Sequence, residues 1–458
     1  MSISTLIWIL LGLSSLAYYL GLKRALAISG GQVRHLHSLP SYYGYYTALW
    51  CGLPALAFLI LWTLLEERII ILAVGASLPE ELQNLPSERL ELVFNQVRTA
   101  LSSANASEDP VICAAADRYR ALQAISNRCL AVVALMAAGL GAMWARRRIR
   151  PDLPARNLVE KTLETLLAAS SALAILTTVG ILLSVLFESI RFFELVPATE
   201  FLFGLNWSPQ LAIRPDQVGA SGAFGFIPLL VGTLLTSAVA MAVAAPIGLL
   251  SAIYLAEFAH PQVRAVAKPL LEILAGVPTV VYGFFAALVV APFLRQAGEV
   301  LGLTIASESA LGAGLVMGIM IVPFVSSISE DVIHAVPQSL RDGAYALGAT
   351  RAEAITQVVI PAALPGIVGG MLLAISRAIG ETMIVVMAAG LTAKLTINPL
   401  DSVTTITVQI VTLLIGDQEF DSPKTLAAFA LGLVLFVLTL GLNVIALYVV
   451  RKYRESYE

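Results

Sequence analysis

The chain has 458 residues, of which 58% are hydrophobic and only 13% are charged, and its formal net charge is -3. Soluble domains carry about 25% charged residues, so this composition excludes an ordinary soluble enzyme. The net charge is small and the basic residues stand beside apolar runs rather than along one surface stripe, so no nucleic-acid partner is indicated.

Apolar runs long enough to cross a hydrocarbon core of roughly 30 Å recur along the sequence. The first, residues 2–22, has no basic residue before it and no clear small-residue cleavage site, so we interpret it as a retained anchor. The further runs are 44–74, 128–145, 162–188, 227–256, 269–294, 310–328, 362–390 and 425–450. The sequence therefore predicts an all-α polytopic membrane protein with about nine spans.

Basic residues orient these spans. If the helices simply alternate, the basic clusters fall on one side, and the positive-inside rule assigns that side to the cytoplasm. We therefore expect the N-terminus outside, in the periplasm, and the C-terminus in the cytoplasm. The basic positions are Lys23, Arg24, Arg34, Arg146, Arg147, Arg148, Arg150, Arg264, Lys268, Arg451, Lys452 and Arg454.

The chain divides into two predicted parts. Residues 1–150 hold about three spans and a polar, partly acidic insertion, 76–126, in which the apolar spacing of residues 77–110 suits one or two short amphipathic helices outside the membrane. The charged segment RRRIRPDLPARN, which contains two prolines, then forms a cytoplasmic linker. Six further spans follow in residues 155–458.

A long cytoplasmic loop, residues 331–361, separates two of these spans. A connector between neighbouring helices needs only a few residues, so this loop requires a purpose. Pro337 followed by QSLRDGAYALGA predicts a short helix that Gly348 ends by adopting a left-handed conformation. The apolar residues expected on one face of this helix are Leu340, Ala344 and Leu347.

A second short helix, RAEAITQVVI, is expected to run up to Pro361. Two short helices across the membrane surface can dock a partner. The alternative is an amphipathic helix that lies on lipid headgroups, which usually has a heavily basic polar face. Here Arg341 and Arg351 are balanced by Asp342 and Glu353, which disfavours that alternative.

The loop resembles the EAA loop of ABC importer permeases, whose pattern is Glu-Ala-Ala, three residues, Gly, nine residues, then Ile-x-Leu-Pro. Asp342, Gly343 and Ala344 stand at the EAA positions, Gly348 at the glycine and 358–361 at the end, with the spacing intact. The departures are Asp for Glu, Gly for Ala, Val for Ile and Ile for Leu.

The resemblance implies that residues 339–351 are a coupling helix that fits a cleft of an ATP-binding subunit. The residues that carry it are Leu340, Arg341, Asp342, Gly343, Ala344, Tyr345, Leu347 and Gly348.

From residue 155 onward the chain resembles the PstC family of permease subunits of phosphate importers. The stretches that carry the likeness are 225–259, 275–293 and 376–390, and the form RAIGETM looks closer to PstC than to its partner PstA. Residues 1–150 are not covered and look like an N-terminal extension found on some bacterial members. The resemblance implies the type I permease fold of six helices, here with about three extra N-terminal helices.

The resemblance also implies a function and a set of partners. This would be the subunit that moves inorganic phosphate across the bacterial inner membrane by alternating access. Its partners would be a second, PstA-like permease, two PstB-like subunits that use ATP and Mg²⁺, a PstS-like periplasmic phosphate-binding protein, and membrane lipid.

The chain itself is expected to be a transport subunit and no enzyme. It has no GxxxxGK[ST] loop, and no Ser/His/Asp or Cys/His arrangement rises above chance. The three cysteines and the lone loop histidines have no metal-ligand spacing. We therefore expect no catalytic residues and no cofactor or metal bound by this chain.

Arg377 and Glu381 lie four residues apart in the span 362–390, where i and i+4 residues share a helix face and can pair. A charge at the bilayer centre costs at least ~2.5 kcal/mol, so such residues normally face a bundle interior or a water-filled path. The resemblance maps the transport-associated Arg and Glu of the family onto these two positions. Arg377 would hold phosphate oxygens in its planar fork, and Glu381 would orient it. The alternative is an ion pair that only fixes helix packing.

Two other functions stay open. The same architecture could serve another oxyanion, sulfate or molybdate, although the RAIGETM and VPTVVYG stretches favour phosphate. A membrane sensor or scaffold that uses residues 76–126 as its ligand-binding part is a second alternative. It would leave the coupling loop and the intramembrane arginine unexplained.

Overall fold

The computed structural model describes residues 3–30, 32–76, 96–97, 110–211, 221–415 and 422–454. The chain forms two compact units, Met1–Leu176 and Thr177–Glu458, each with its own hydrophobic clusters. The boundary lies within the long helix that follows the predicted linker.

In the described part of the chain, nine helices are long and apolar enough to cross a membrane, which confirms the predicted all-α polytopic class. In the first unit the helices are α1 (Ile3–Ile28), α2 (Pro40–Gly75) and α3 (Pro110–Arg148), with a 3₁₀ turn at Val33–His35; α4 (Ala155–Leu195) continues into the second unit. At 1.5 Å per residue, α2, α3 and α4 each exceed the ~30 Å of the hydrocarbon core.

The predicted insertion 76–126 lies largely outside the described residues. The segment 77–110, on which the amphipathic helices are predicted, lies outside the described residues apart from 96–97 and 110, and residues 110–126 form the beginning of α3. Ala115 and Ala116 on this part pack against Ile70 and Val74 at the end of α2. The helix continues without a break because no Pro or Gly interrupts residues 111–138.

Beyond α4, the second unit continues with a small aromatic layer. The short helix α5 (Ala198–Phe203) is followed by an antiparallel hairpin of β1 (Trp207–Leu211) and β2 (Ser221–Phe224), in which Trp207 pairs with Phe224. The sequence analysis did not predict this hairpin. Trp207 also donates from Nε1 to Gln409 Oε1 at 2.9 Å, which satisfies the indole where it is buried.

The spans of the second unit are α6 (Ile227–Ile253), the joined helices α8 (Thr279–Phe285) and α9 (Ala291–Val300), α10 (Ala310–His334), α13 (Ile360–Ile379) with its N-terminal extension, and α16 (Pro423–Arg454). The most buried of the described spans is α10. An ideal Cβ at Gly314 would lie 2.6 Å from Val239 Cγ1 of α6, so the small residue permits this close helix contact.

Three predicted helix boundaries were wrong. The predicted span 269–294 is divided, because α7 (Pro261–Ala275) ends before Gly276 and α8 starts after Pro278. A proline disfavours the helical conformation of the residue before it. The chain therefore turns here and does not continue as one kinked helix. The Tyr282 hydroxyl donates to the Leu274 carbonyl at 2.8 Å across this break.

The second loop helix does not end at Pro361. It starts as α12 (Arg351–Ala354), passes through a π-helical turn at Ile355–Val359 and continues directly as α13. A π turn also precedes Pro292, at Ala286–Val290. Such a turn widens the helix before the proline, where the ring would otherwise clash with the carbonyl four residues earlier.

Helix α13 ends at Ile379, and a separate short helix, α14 (Met383–Ala388), follows. The predicted single span 362–390 is therefore two helices with a break at 380–382. After a loop, α15 (Ile406–Leu414) precedes α16.

Candidate functional site

A cavity of about 230 Å³ lies among α7, α10 and the end of α13. Both cations and carboxylates line it, together with apolar and hydroxyl side chains. The lining residues are Lys268, Leu271, Glu272, Ala275, Met320, Pro323, Phe324, Ser326, Ser327, Glu330 and Arg377.

Arg377 stands in the last turn of α13, and its guanidinium carbon lies 5.5 Å from the centre of the Phe324 ring. Phe324 is near the middle of α10, and Arg377 is exposed beside it, where it lines the cavity. A cation over an aromatic face is stabilised without a counter-charge. Among the described residues, no carboxylate forms an ion pair with Arg377. Its donors therefore stay available to an anion in the cavity.

Glu381 is not the partner of Arg377. Helix α13 ends between the two residues, so the i,i+4 relation of one continuous helix does not exist. Glu381 Oε1 instead accepts from the Met383 backbone N–H at 3.2 Å, and its carbonyl accepts from Thr407 Oγ1 at 2.8 Å. The cavity lining includes Arg377 but not Glu381. The geometry supports a role for Glu381 in starting α14 rather than in orienting the arginine.

A buried carboxylate that the sequence analysis did not single out lies in the same cavity. Glu330 on α10 has a side chain only 2% exposed, and its Oε1 accepts from Arg264 Nη2 at 2.6 Å. Lys268 Nζ is 3.4 Å from Oε2, and His334 Nε2 is 3.7 Å from Oε1. Arg264 also contacts His334. Three basic side chains thus share one buried carboxylate.

A second, wider cavity of about 480 Å³ adjoins α7 and the π-helical turn Tyr254–Phe258 at the end of α6. It shares Lys268 and Glu272 with the first cavity. It also contains Glu257, Arg264 and Arg351. Lys268 therefore borders both spaces.

The short helix predicted after Pro337 is present as α11 (Gln338–Ala346). Gly348 has φ +88°, which confirms the predicted left-handed ending. The predicted common apolar face was wrong in part, because Ala344 is buried whereas Leu340 is 39% and Leu347 is 92% exposed. Leu347 lies just beyond the last helical residue, so it does not continue the helical spacing.

The exposed side of α11 carries both apolar and polar side chains. Leu340, Tyr345 and Leu347 are exposed large apolar side chains. Asp342 is also exposed and accepts from Gln338 Nε2 at 3.1 Å, and Gly343 is exposed beside it. These residues can contact a partner.

Arg341 differs from its neighbours on α11 because it points into the second unit. It donates to Glu257 Oε1 and, at 2.8 Å, to the Ile333 carbonyl. Arg351 donates to the Glu257 carbonyl and stacks 5.6 Å from the Phe258 ring centre. Glu257 is only 7% exposed, so it is a buried carboxylate although it stands at the end of an apolar run. Arg341 on α11 and Arg351 at the start of α12 thus both bind the end of α6.

At the opposite end of α10, a loop covers the helix start. The Ala310 N–H donates to the Asp401 carbonyl at 3.1 Å. The Asp401 carboxylate accepts from Lys394 Nζ at 2.9 Å and from Thr396 Oγ1 at 2.8 Å. These hydrogen bonds, the one from Lys394 first, lower the pKa of Asp401 below its ordinary value. The carboxylate thus joins Lys394 and Thr396 within the loop.

Comparisons with known proteins agree with this architecture. A family model described as "Phosphate ATP-binding cassette transporter" matches residues 7–177, and one described as "Binding-protein-dependent transport system inner membrane component" matches residues 244–455. The "Probable ABC transporter permease protein YqgH" of Bacillus subtilis is 34% identical over 288 residues, which are 63% of this chain and 87% of the relative. The chain belongs to this family of ABC-transporter permeases.

Two further relatives of this permease carry the name "Phosphate transport system permease protein PstC". That of Mesorhizobium japonicum is 33% identical over 270 residues, 55% of this chain and 78% of the relative. That of Xylella fastidiosa, strain Temecula1, is 32% identical over 298 residues, 61% of this chain and 87% of the relative. The predicted resemblance and permease fold are confirmed. As a multi-pass transport subunit, the chain is no enzyme, and ATP hydrolysis belongs to partner subunits.

Sequence reasoning missed Glu330 and Glu257 as members of this permease's ionic clusters. Each stands within a few residues of the end of an apolar run, where a charged residue is ordinarily solvated. One signal was available. Arg264 and Lys268 recur at i and i+4 on a helix face, and Glu330 and His334 do the same, so complementary charges were present on two elements.

Proposed function

We propose that this permease moves inorganic phosphate inward as part of an ATP-driven importer. The observation that carries the proposal is Arg377, an intramembrane cation without a carboxylate partner among the described residues, which faces a cavity of about 230 Å³. A planar guanidinium can hold two oxygens of one phosphate at once. The contact with the Phe324 ring stabilises the cation when no anion is bound. This contact is weak enough that an anion can replace it at little cost.

The carboxylates of the cavity favour phosphate over sulfate or molybdate. Near neutral pH phosphate still carries an O–H group, which can donate to a carboxylate such as Glu272. Fully deprotonated sulfate and molybdate have no donor, and each would meet Glu272 and Glu330 as like charges. The names of the PstC relatives agree with this choice.

The proposed partner subunits are inferred first from the exposed side chains of the loop 331–361. Leu340, Tyr345 and Leu347 on the exposed side of α11 would contact one of two PstB-like subunits that bind ATP and Mg²⁺. A second, PstA-like permease would complete the pathway, and a PstS-like protein would deliver phosphate from outside. This assignment puts α11 and the basic helix ends in the cytoplasm, the C-terminus with them, and the N-terminus in the periplasm.

Arg377→Gln tests the proposal, with Arg377→Lys as the charge-conserving control. The chain is co-expressed with its neighbouring importer subunits, and phosphate uptake is measured together with assembly of the complex. Loss of one charge-assisted contact of 1.5–3 kcal/mol predicts uptake reduced by about 10- to 100-fold in the Gln variant. The Lys variant is expected to keep part of the activity.

Three experimental results would distinguish the proposed function from its alternatives. Near-normal uptake by an assembled Arg377→Gln complex would show that the arginine is not in the anion path. Inhibition of wild-type uptake by sulfate or molybdate as strongly as by unlabelled phosphate would indicate a general oxyanion permease. No uptake by the wild-type complex, with a transcriptional response to phosphate that depends on residues 76–126, would indicate a sensor or scaffold.

A further inference from the structure

Glu330 is buried more completely than any cation around it. Its side chain is 2% exposed, whereas those of Arg264, Lys268 and His334 are 36%, 36% and 38% exposed. The carboxylate thus lies beneath a layer of basic groups that remain accessible. A carboxylate in this position is stable only while those cations stay close to it.

Basic side chains line both cavities and connect them. Arg377 lines the inner cavity, Lys268 lines both, and Arg264 lines the wider outer one. An anion that left Arg377 in this direction would meet Lys268 first and Arg264 next. On the proposed orientation, this direction leads to the cytoplasm.

A row of cations without counter-charges would bind phosphate too well to release it. Opposite charges attract more strongly in a partly desolvated cavity than in water, and strong binding appears mainly as slow dissociation. Glu330 already occupies Arg264 through a 2.6 Å hydrogen bond and stands 3.4 Å from Lys268. Phosphate must compete with this carboxylate for both cations.

We infer that Glu330 is a release residue of the phosphate path. It compensates Lys268 and Arg264, so that phosphate passes from Arg377 to the outer cavity without being retained. Glu330 is a positioning residue, since it acts on phosphate through the two cations. The inference rests on the proposed function and adds an exit route with a residue that sets its affinity.

Glu330→Gln keeps the shape of the side chain and removes its charge. The complete importer is reconstituted with its ATPase and binding-protein partners in proteoliposomes, and initial uptake rates are measured over a range of phosphate concentrations. Equilibrium binding of labelled phosphate is measured on the same complex without ATP and without the binding protein. We expect both the maximal rate and the dissociation constant to fall, each on the order of tenfold.

Removing the freed cation should reverse the effect. In Glu330→Gln/Lys268→Gln, the maximal rate is expected to rise again toward that of the wild type, which loss of packing around Glu330 would not allow. Asp331→Asn, which alters an exposed carboxylate of the same helix, is the matched control and should behave as the wild type.

Each outcome has one meaning. Weaker phosphate binding by Glu330→Gln, or no recovery in the double variant, would overturn the inference. If Glu330→Gln fails to assemble, Lys268→Gln alone decides, since its dissociation constant should rise severalfold and an unchanged value contradicts the route. A wild-type complex that neither binds nor transports phosphate would instead refute the proposed function itself.

Discussion

Gly348 is the residue on which the end of the coupling helix depends. Its φ of +88° lies in the left-handed region, and an added Cβ would meet no atom within 4 Å. A substitution there is therefore opposed by backbone strain alone and not by crowding. For a β-branched residue this strain is about 1–3 kcal/mol.

We expect Gly348→Val to shift the direction of the chain after α11 and to uncouple ATP hydrolysis from uptake. The measurement is the ratio of phosphate transported to ATP hydrolysed in the reconstituted importer. Gly348→Asn is the matched control, because asparagine tolerates this conformation, and it should keep most of the coupling. An unchanged ratio in the Val variant would count against docking through α11.

Arg377 and Glu381 show how far a single residue can be interpreted from sequence. The cost of an intramembrane charge predicts that Arg377 faces a bundle interior or a water-filled path, and in the structure its side chain lines a cavity. The predicted pairing with Glu381 rests on a different argument, the i,i+4 spacing, which has meaning only on a continuous helix, and α13 ends at Ile379. The Glu381 carboxylate accepts from the Met383 N–H at the start of α14, beyond this ending.

At the level of elements, the contact between α11 and the end of α6 rests on one buried ion pair. Arg341 and Glu257 have side chains only 12% and 7% exposed. Breaking a buried pair by removing one partner costs about 3–5 kcal/mol, because a charge is left uncompensated. The pair is therefore expected to make α11 and α6 move together.

We expect Arg341→Gln to lower the thermal stability of the complex and to allow ATP hydrolysis with little uptake. Melting of the purified complex and the transport-to-hydrolysis ratio measure the two effects. In Arg341→Gln/Glu257→Gln no charge is left unpaired, so the double variant should be more stable than Arg341→Gln but remain uncoupled. Full coupling in the double variant would show that the pair serves stability alone.

The helix boundaries were the part of the elements that sequence patterns predicted least well. Hydropathy found every described span, because apolar length is a local property. It did not separate α7 from α8, nor α13 from α14, since both breaks fall inside apolar runs. Pro361 gave the opposite error, because a π turn lets the helix continue through a residue that usually ends one.

At the scale of the whole molecule, all residues of the candidate site lie in Thr177–Glu458. The first unit has its own hydrophobic cluster, formed by residues such as Leu10, Ala55 and Leu130. A chain that begins at Ala145 would keep the arginines 146–148 and the complete helix α4. These basic residues preserve the expected orientation.

We therefore expect the shortened chain to assemble with its partners and to take up phosphate at a rate close to that of the full chain. Uptake in cells that carry either form, normalised to the amount of assembled complex, is the measurement. Loss of uptake by a shortened chain that still assembles would assign the first unit a direct part in transport.

The membrane class, the positions of the spans, the turn at Gly348 and the likeness to the permease family could all be predicted from the sequence, because apolar length, backbone freedom and motif spacing are local properties. Which charges meet became visible only in the packed helices. Glu330 and Arg264 are 66 residues apart, and Glu257 and Arg341 are 84 apart. No local pattern relates such residues, since helix packing alone brings them into one low-dielectric region where a carboxylate must find its cation.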